Sequence, residues 1–353
     1  MTRADEGLGF LLKYENVARY EDGEVFILDR RRYPAEVTYV RCEDYRDVAQ
    51  AITDMVTQSG GPWMAAAMGM VSAAHDAQGL PEEEARALLH DAAYALSHAR
   101  PTTSEQMVRH VEAIREEAER ALEAGEDLEA ATLDFVEWRR EARYRRSRRI
   151  ASYAVDLLPD PCTILTQCFA ETLIGFVLLV AKERGIDVSL IAPETRPYLQ
   201  GARLTASVAA EIGVPVTLIT DNMPGFVLSQ GLVDVFICAA DVITLDGHVV
   251  NKIGTYQIAL GAHDNDVPFY VVGTPSASNP TIETVEIEER DPEEVLHAMG
   301  RRTARPEVRG FYPAFDITPP RLVGAVITEK GVFSPYDLER HFKPGSDESE
   351  GAA

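Results

Sequence analysis

The chain has 353 residues, 46% of them hydrophobic, enough to bury a full core, in two lobes. Its 34 Lys and Arg stand against 57 Asp and Glu, for a net charge of −23. That balance excludes a general nucleic-acid binder, which needs a basic face against phosphate, and disfavours docking on anionic lipid. The lysines are Lys13, Lys182, Lys252, Lys330 and Lys343, and every other cation is Arg. A GC-rich genome explains Arg in place of Lys but not the acid excess. An acid-rich, lysine-poor surface suits solubility in concentrated salt, so a halophilic protein is expected.

In chain order, residues 22–42 read as two short strands, Val25–Leu28 and Glu36–Val40, around a turn containing Pro34. From Tyr45 to about Trp138 the pattern is helical. Asp44 is placed to cap a helix with apolar positions Val48, Ile52 and Val56. Ser59-Gly60-Gly61-Pro62 interrupts it, and an Ala/Met-rich helix runs on through Ala74. Pro81 opens another helix, with Glu82–Glu84 in its first turn. Arg100-Pro101-Thr102-Thr103 breaks the pattern before a charged helix from Ser104 to about Ala124.

Beyond about Ile150 short apolar strands alternate with helices. Strands are expected at Cys162–Gln167, Val188–Ala192, Val216–Ile219, Val235–Cys238 and Phe269–Gly273. Helices are expected at 170–184, 201–212, 226–230 and 255–263. This is the pattern of a parallel sheet covered on both faces, where ligands sit beyond the carboxyl ends of the strands. The chain therefore reads as α/β: a smaller α-rich N-terminal domain with a β-hairpin (1–149), a Rossmann-like domain (150–344) and an acidic, disordered tail (345–353). The longest apolar stretch, Thr172 to Ala181, is about half the roughly 20 residues of a membrane span. With no signal pattern at the N-terminus, the expected location is the cytoplasm. Cys42, Cys162, Cys168 and Cys238 fit neither zinc spacing nor a disulfide framework and are expected as free thiols; no metal is expected.

The sequence lacks G-x-G-x-x-G, G-x-x-x-x-G-K-[ST] and G-x-S-x-G, so candidate chemistry lies at strand ends and no cofactor is implied. Cys168 ends the run TILTQC and is expected to begin a helix, where amide dipoles would lower a thiol's pKa. A small buried hydrophobe is the other reading, and position alone leaves both open. Asp241 ends VDVFICAAD, either as a partly desolvated acid or as a turn cap. Asn251-Lys252 is expected at a helix start, where amides, dipole and ammonium would meet a phosphate; a solvated surface lysine is the alternative. Arg196 and Arg203 flank another strand-to-helix junction and either grip an anion or pair with carboxylates. With Arg100 and the Gly60-Gly61 amides from the first lobe, these elements fit a phosphate site in a cleft between lobes. Arg139–Arg149 holds seven arginines. A helix face pairing with the acidic run Glu112–Glu123 or with a partner subunit explains it better than nucleic acid.

The segments DRRRYPAEVTYVRC, GGPWMAAAMG, RPTT, TILTQC, ETRPYLQGARLTA, AADVITLDGHVVNKIGT, IEERDPEEV and YPAFDITP together resemble the methylthioribose-1-phosphate isomerase family. Its relatives are the ribose-1,5-bisphosphate isomerases and the regulatory subunits of the eukaryotic initiation factor 2B. The resemblance runs from about Asp22 to Tyr336. It implies an aldose-1-phosphate to ketose-1-phosphate isomerase acting in methionine salvage. Its catalytic residues would be Cys168 and Asp241, with substrate contacts from Gly60, Gly61, Arg100, Gln200, Asn251 and Lys252. A homodimer is implied as well. Asp241 would protonate the ring oxygen. Cys168 would relay hydrogen from C2 to C1 as thiolate base and then thiol acid, with direct hydride transfer as the competing route.

Three departures from the family pattern bear on substrate. Ser59 stands where an Arg is usual, Gln167 where a His precedes the cysteine, and Phe169-Ala170-Glu171 where Asn-Ala-Gly follows it. Glu171 would repel a second phosphate and Phe169 would favour an apolar group. Methylthioribose 1-phosphate therefore leads, followed by 5-deoxyribose 1-phosphate and then ribose 1,5-bisphosphate. The rival from another class is a non-catalytic sugar-phosphate- or nucleotide-sensing subunit on the same fold.

Overall fold

A computed structural model describes residues 3–99 and 105–343. Contacts divide the chain into two units, one of Phe10–Arg145 with the first residues, the other of Arg146 onward with Gly7–Gly9. Arg100 and the tail 345–353 lie outside the described residues.

The N-terminal unit begins with helix α1 (Tyr14–Val17) and a three-stranded antiparallel sheet, β1 (Ala18–Glu21), β2 (Glu24–Leu28) and β3 (Tyr39–Cys42). The expected hairpin is therefore one strand larger, and its second arm starts later than Glu36, after a run of turns over Arg30–Ala35. Helix α2 (Tyr45–Thr53) is capped as expected: the Asp44 carboxylate accepts from the N–H groups of Arg46 and Asp47. Helix α3 (Gly61–Ala77) is largely apolar and buried up to its last turn, and α2, α4 (Glu82–Ser97) and α5 (Glu105–Ala124) pack against it, as an apolar helix requires.

Helix α6 (Leu128–Val155) runs well past Trp138. Tyr144, Ser147, Ile150, Ala151 and Ala154 form a buried stripe along it at helical spacing, and the arginines project from the other faces. Several of them pair elsewhere than with the acidic run Glu112–Glu123. Arg140 reaches Glu137 and Glu15, Arg148 reaches Glu183, and Arg146 reaches Glu329. The acidic face of α5 is instead served by Arg86 of α4 and by its own Arg115 and Arg120. Neighbouring charges on one helix and on the adjacent α4 are closer than a distant arginine run, so they pair first.

The second unit holds seven strands in the order β6-β5-β4-β7-β10-β14-β15. These are β4 (Cys162–Leu165), β5 (Val188–Pro193), β6 (Val216–Ile219), β7 (Val235–Ala239), β10 (Phe269–Val272), β14 (Ala325–Thr328) and β15 (Gly331–Phe333). All neighbours are parallel except β14 and β15. The connecting helices include α7 (Thr172–Glu183), α8 (Ala206–Ile212), α9 (Pro224–Ser229) and α10 (Thr255–Asp264). A π-helical turn, Gly201–Thr205, precedes α8 where one continuous helix was expected. A small antiparallel sheet of β8 (Val242–Ile243), β9 (Val249–Lys252) and β13 (Phe315–Thr318) stands apart from the main one, and β11 (His297–Ala298) pairs with β12 (Arg301–Arg302).

Phe236 of β7 stacks on Phe269 of β10 with ring centroids 4.3 Å apart, among Leu165, Ile191, Val271 and Val326. Both rings are buried. All four cysteines are free thiols. No helix among the described residues is long and apolar enough to cross a membrane. Phe236→Ala removes the ring at the middle of the sheet and should cost about 3–5 kcal/mol, read as a lower urea midpoint; an unchanged midpoint would contradict this packing.

Candidate active site

Strands β4 and β7 lie side by side, and the sheet grows outward from them in opposite directions, to β5 and β6 on one side and β10 and β14 on the other. The connections leaving their carboxyl ends diverge and open a crevice, the place where open α/β sheets bind ligands. Cys168 follows β4 and Asp241 follows β7. Residues 73 positions apart in sequence thus meet because their strands are neighbours.

Asp241 is held by its backbone N–H, which donates to the Val250 carbonyl at 2.9 Å. That bond docks β9 against the strand end, and β9 carries Asn251 and Lys252 to the same place. Lys252 pairs with Phe315 of β13, and its Nζ stands 4.4 Å from the centroid of that ring. The Arg290 guanidinium lies 5.6 Å from the same ring and holds Glu288 through two hydrogen bonds of 2.9 and 3.2 Å. Lys252 is buried, which removes the reading of it as a solvated surface lysine. It ends a strand, three residues before the helix at whose start it was expected.

Burial pushes the three central groups toward their neutral forms. The Cys168 thiol is pushed up to about 11 by desolvation, against the downward pull of Lys252. Desolvation raises the Asp241 carboxyl, with Lys252 and Arg290 opposing it. It lowers the Lys252 ammonium, which the nearby Cys168 partly restores. Cys168 nevertheless keeps some accessible surface and Asp241 is exposed, so both are reachable while crowded by protein. The expected low thiol pKa is not found. Helix α7 begins only at Thr172, beyond the reach of a first-turn dipole, and burial outweighs what remains.

The helix start proposed for phosphate is also partly occupied. The Asp316 carboxylate of β13 accepts from the Gly254 N–H at 2.7 Å and the Tyr256 N–H at 3.1 Å. Burial raises that carboxyl to about 6 against the pull of the two amides. Gln167 completes the frame: its Nε2 donates to the Ile253 carbonyl at 2.9 Å. Gly254, at φ +104°, lets this amide approach; a Cβ there would sit 2.8 Å from Gln167 Nε2.

Cys168, Asp241, Asn251 and Lys252 are therefore brought together. Gln200 is buried just ahead of the π-helical turn, whose Thr205 hydroxyl donates to the Cys168 carbonyl. Arg196 donates to the His297 carbonyl at 2.7 Å, and Arg203 lies over Tyr198 and donates to its carbonyl at 2.8 Å. Both arginines thus donate to backbone oxygens. Phe169 and Glu171 are both buried. In the N-terminal unit, Gly60 and Gly61 open α3. A Cβ on Gly61 would fall 1.8 Å from Thr57 Oγ1, so any larger residue would have to displace the Thr57 side chain. The fully buried Arg30 donates to the Gln58 carbonyl beneath this turn.

Arg290, Phe315 and Asp316 were not singled out from the sequence as site residues. Their only signal was membership of the IEERDPEEV and YPAFDITP blocks. Among the described residues no group of three or more His, Cys, Asp or Glu is arranged to hold a metal ion.

The profile of the Initiation factor 2 subunit family matches residues 57–335. A protein of Pelotomaculum thermopropionicum named methylthioribose-1-phosphate isomerase is 40% identical over 336 residues, covering 90% of each chain. A protein of the same name from Desulforudis audaxviator is 38% identical, covering 90% of this chain and 93% of that one. Among solved structures, 5-methylthioribose 1-phosphate isomerase from Pyrococcus horikoshii superposes with a TM-score of 0.80 at 31% identity, covering 92% of this chain and 95% of that one. The translation initiation factor eIF-2B subunit delta from A. fulgidus gives 0.79 at 33% identity, covering 90% and 96%. A profile that spans most of the chain, and relatives that match it nearly end to end, lead to one conclusion: this chain belongs to the Initiation factor 2 subunit family.

Proposed function

We propose that this protein is an aldose-1-phosphate to ketose-1-phosphate isomerase whose substrate is S-methyl-5-thioribose 1-phosphate. The observation that carries this reading is the meeting of Cys168, Asp241 and Lys252 beyond β4 and β7, each pushed toward its neutral form. The names borne by relatives at 36–40% identity point the same way.

The phosphate on C1 blocks spontaneous ring opening, so an acid has to assist. Asp241, with its raised carboxyl, gives a proton to the ring oxygen as the bond from C1 to that oxygen breaks. The hydrogen on C2 moves to C1, and the 2-hydroxyl proton returns to the Asp241 carboxylate, leaving a ketone at C2 and the acid restored. A thiol pushed up to about 11 is protonated at neutral pH, which favours hydride transfer over abstraction by a thiolate. The polarisable Cys168 sulfur then stabilises positive charge developing at C1. Lys252 holds the phosphate, with Asn251 beside it. Buried Phe169 suits an apolar methylthio group, and Glu171 opposes a second phosphate.

The deciding experiment follows ketose formation by NMR with methylthioribose 1-phosphate, 5-deoxyribose 1-phosphate and ribose 1,5-bisphosphate. Turnover fastest on the first is expected; binding without turnover of any of them would instead establish a sensing subunit. Cys168→Ala and Asp241→Asn should each lower kcat by about 10³-fold or more with an unchanged circular dichroism spectrum. Near-native activity of either variant would end this mechanism. The net charge of −23 repels an anionic substrate at long range, and salt shortens that repulsion to about 3 Å at 1 M. Initial rates at low substrate should therefore rise from dilute buffer to molar salt, and a maximum in dilute buffer would remove the halophilic reading.

A further inference from the structure

Cys168 adopts φ +61°, a left-handed conformation that a non-glycine residue takes only when its surroundings impose it. One contact that holds this segment comes from Thr205. Its side chain is fully buried, and its hydroxyl donates to the Cys168 carbonyl, 37 residues away in sequence. Hydroxyls on helices ordinarily bond back to a carbonyl of their own helix, as Ser207 does to Arg203 at 2.8 Å. Thr205 ends a π-helical turn, the kind of local widening that re-aims a side chain near functional sites, and its hydroxyl is directed away from its own helix.

The peptide unit between Cys168 and Phe169 is planar, with its C=O and N–H pointing in opposite directions. Fixing the carbonyl therefore fixes the amide. The Phe169 N–H faces the Cys168 sulfur as a hydrogen-bond donor. We infer that Thr205 is a positioning residue for Cys168: by clamping its carbonyl it holds the 168–169 peptide plane so that the Phe169 N–H stays on the sulfur. The relevance of this clamp to turnover rests on the isomerase reading above, but the clamp itself does not.

The other groups facing the sulfur are Lys252 of β9, Asp241 after β7, Cys238 of β7, and Arg290 and Tyr312 from the loops preceding β13. Thr205 carries no charge, so replacing it leaves all five in place. A change in thiol behaviour on its substitution then reports the amide. Loss of the donor favours the protonated thiol and moves its titration upward.

The test is alkylation of the full-length protein by iodoacetamide across pH 8–10.5, with modification at Cys168 quantified by peptide mass spectrometry. The other three cysteines are buried, which keeps the signal assignable. Thr205→Val, which keeps shape and loses the hydroxyl, should alkylate about fivefold more slowly at each pH, with its profile moved to higher pH. Thr205→Ser should stay within about twofold of the native rate. Thr205→Ala compared with Thr205→Ser gives the same readout should the valine variant fail to fold. Equal rates and profiles for native, Val and Ala proteins would overturn the inference, as would a Ser variant as slow as Val. Alkylation needs no sugar phosphate, so this result is read independently of any isomerase assay. With methylthioribose 1-phosphate as substrate, the clamp further predicts about a tenfold lower kcat for Thr205→Val at little-changed KM, recovered by Thr205→Ser.

Discussion

The adjacency of β4 and β7 is the constraint on which the site depends. Each strand is short and apolar on both faces, and burying both faces requires helical connections above and below a parallel sheet. Once the two lie next to each other with their connections diverging, the residues at their carboxyl ends share one crevice. Cys168 and Asp241 acquire a common environment from this arrangement alone. The small sheet of β8, β9 and β13 docks onto it through the Asp241 N–H and delivers Lys252 and Asn251.

Desolvation then dominates the electrostatics. A thiol, a carboxyl and a buried ammonium crowded together by protein would each be costly in charged form, and each is shifted toward neutrality. Lys252 and Arg290 temper that cost for the two acids, and the Phe315 ring accepts both cations on its face. In a protein of net charge −23, this pairing of two cations on one aromatic ring sets local positive charge beside the two acids. Asp316 meanwhile spends its charge on the Gly254 and Tyr256 amides, so the start of α10 is stabilised from within the protein.

Much of the fold was legible because the relevant patterns are local. The strands at Val216 and Phe269 and the helices at Tyr45, Glu82 and Thr255 are set by apolar spacing, a capping aspartate and acids in a first turn. Elements whose stability comes from distant partners were not legible. β9 exists because β13, more than sixty residues later, supplies its ladder. The arginine run of α6 read as a helix face, but that the buried side is the narrow stripe of Tyr144, Ile150, Ala151 and Ala154 depends on what packs there.

The same division runs through the site. The sequence alone determined the acidic balance, the alternation of strands and helices, and which residues stand at strand ends, because these depend on composition and near-neighbour spacing. Tertiary structure decided the order of the strands, and with it which strand ends meet. It also decided that Cys168 is a thiol of raised pKa rather than an activated thiolate, that Lys252 is buried against Phe315, and that Thr205 grips the Cys168 carbonyl. Burial and contacts between residues distant in sequence are properties of the folded packing, and no local pattern encodes them.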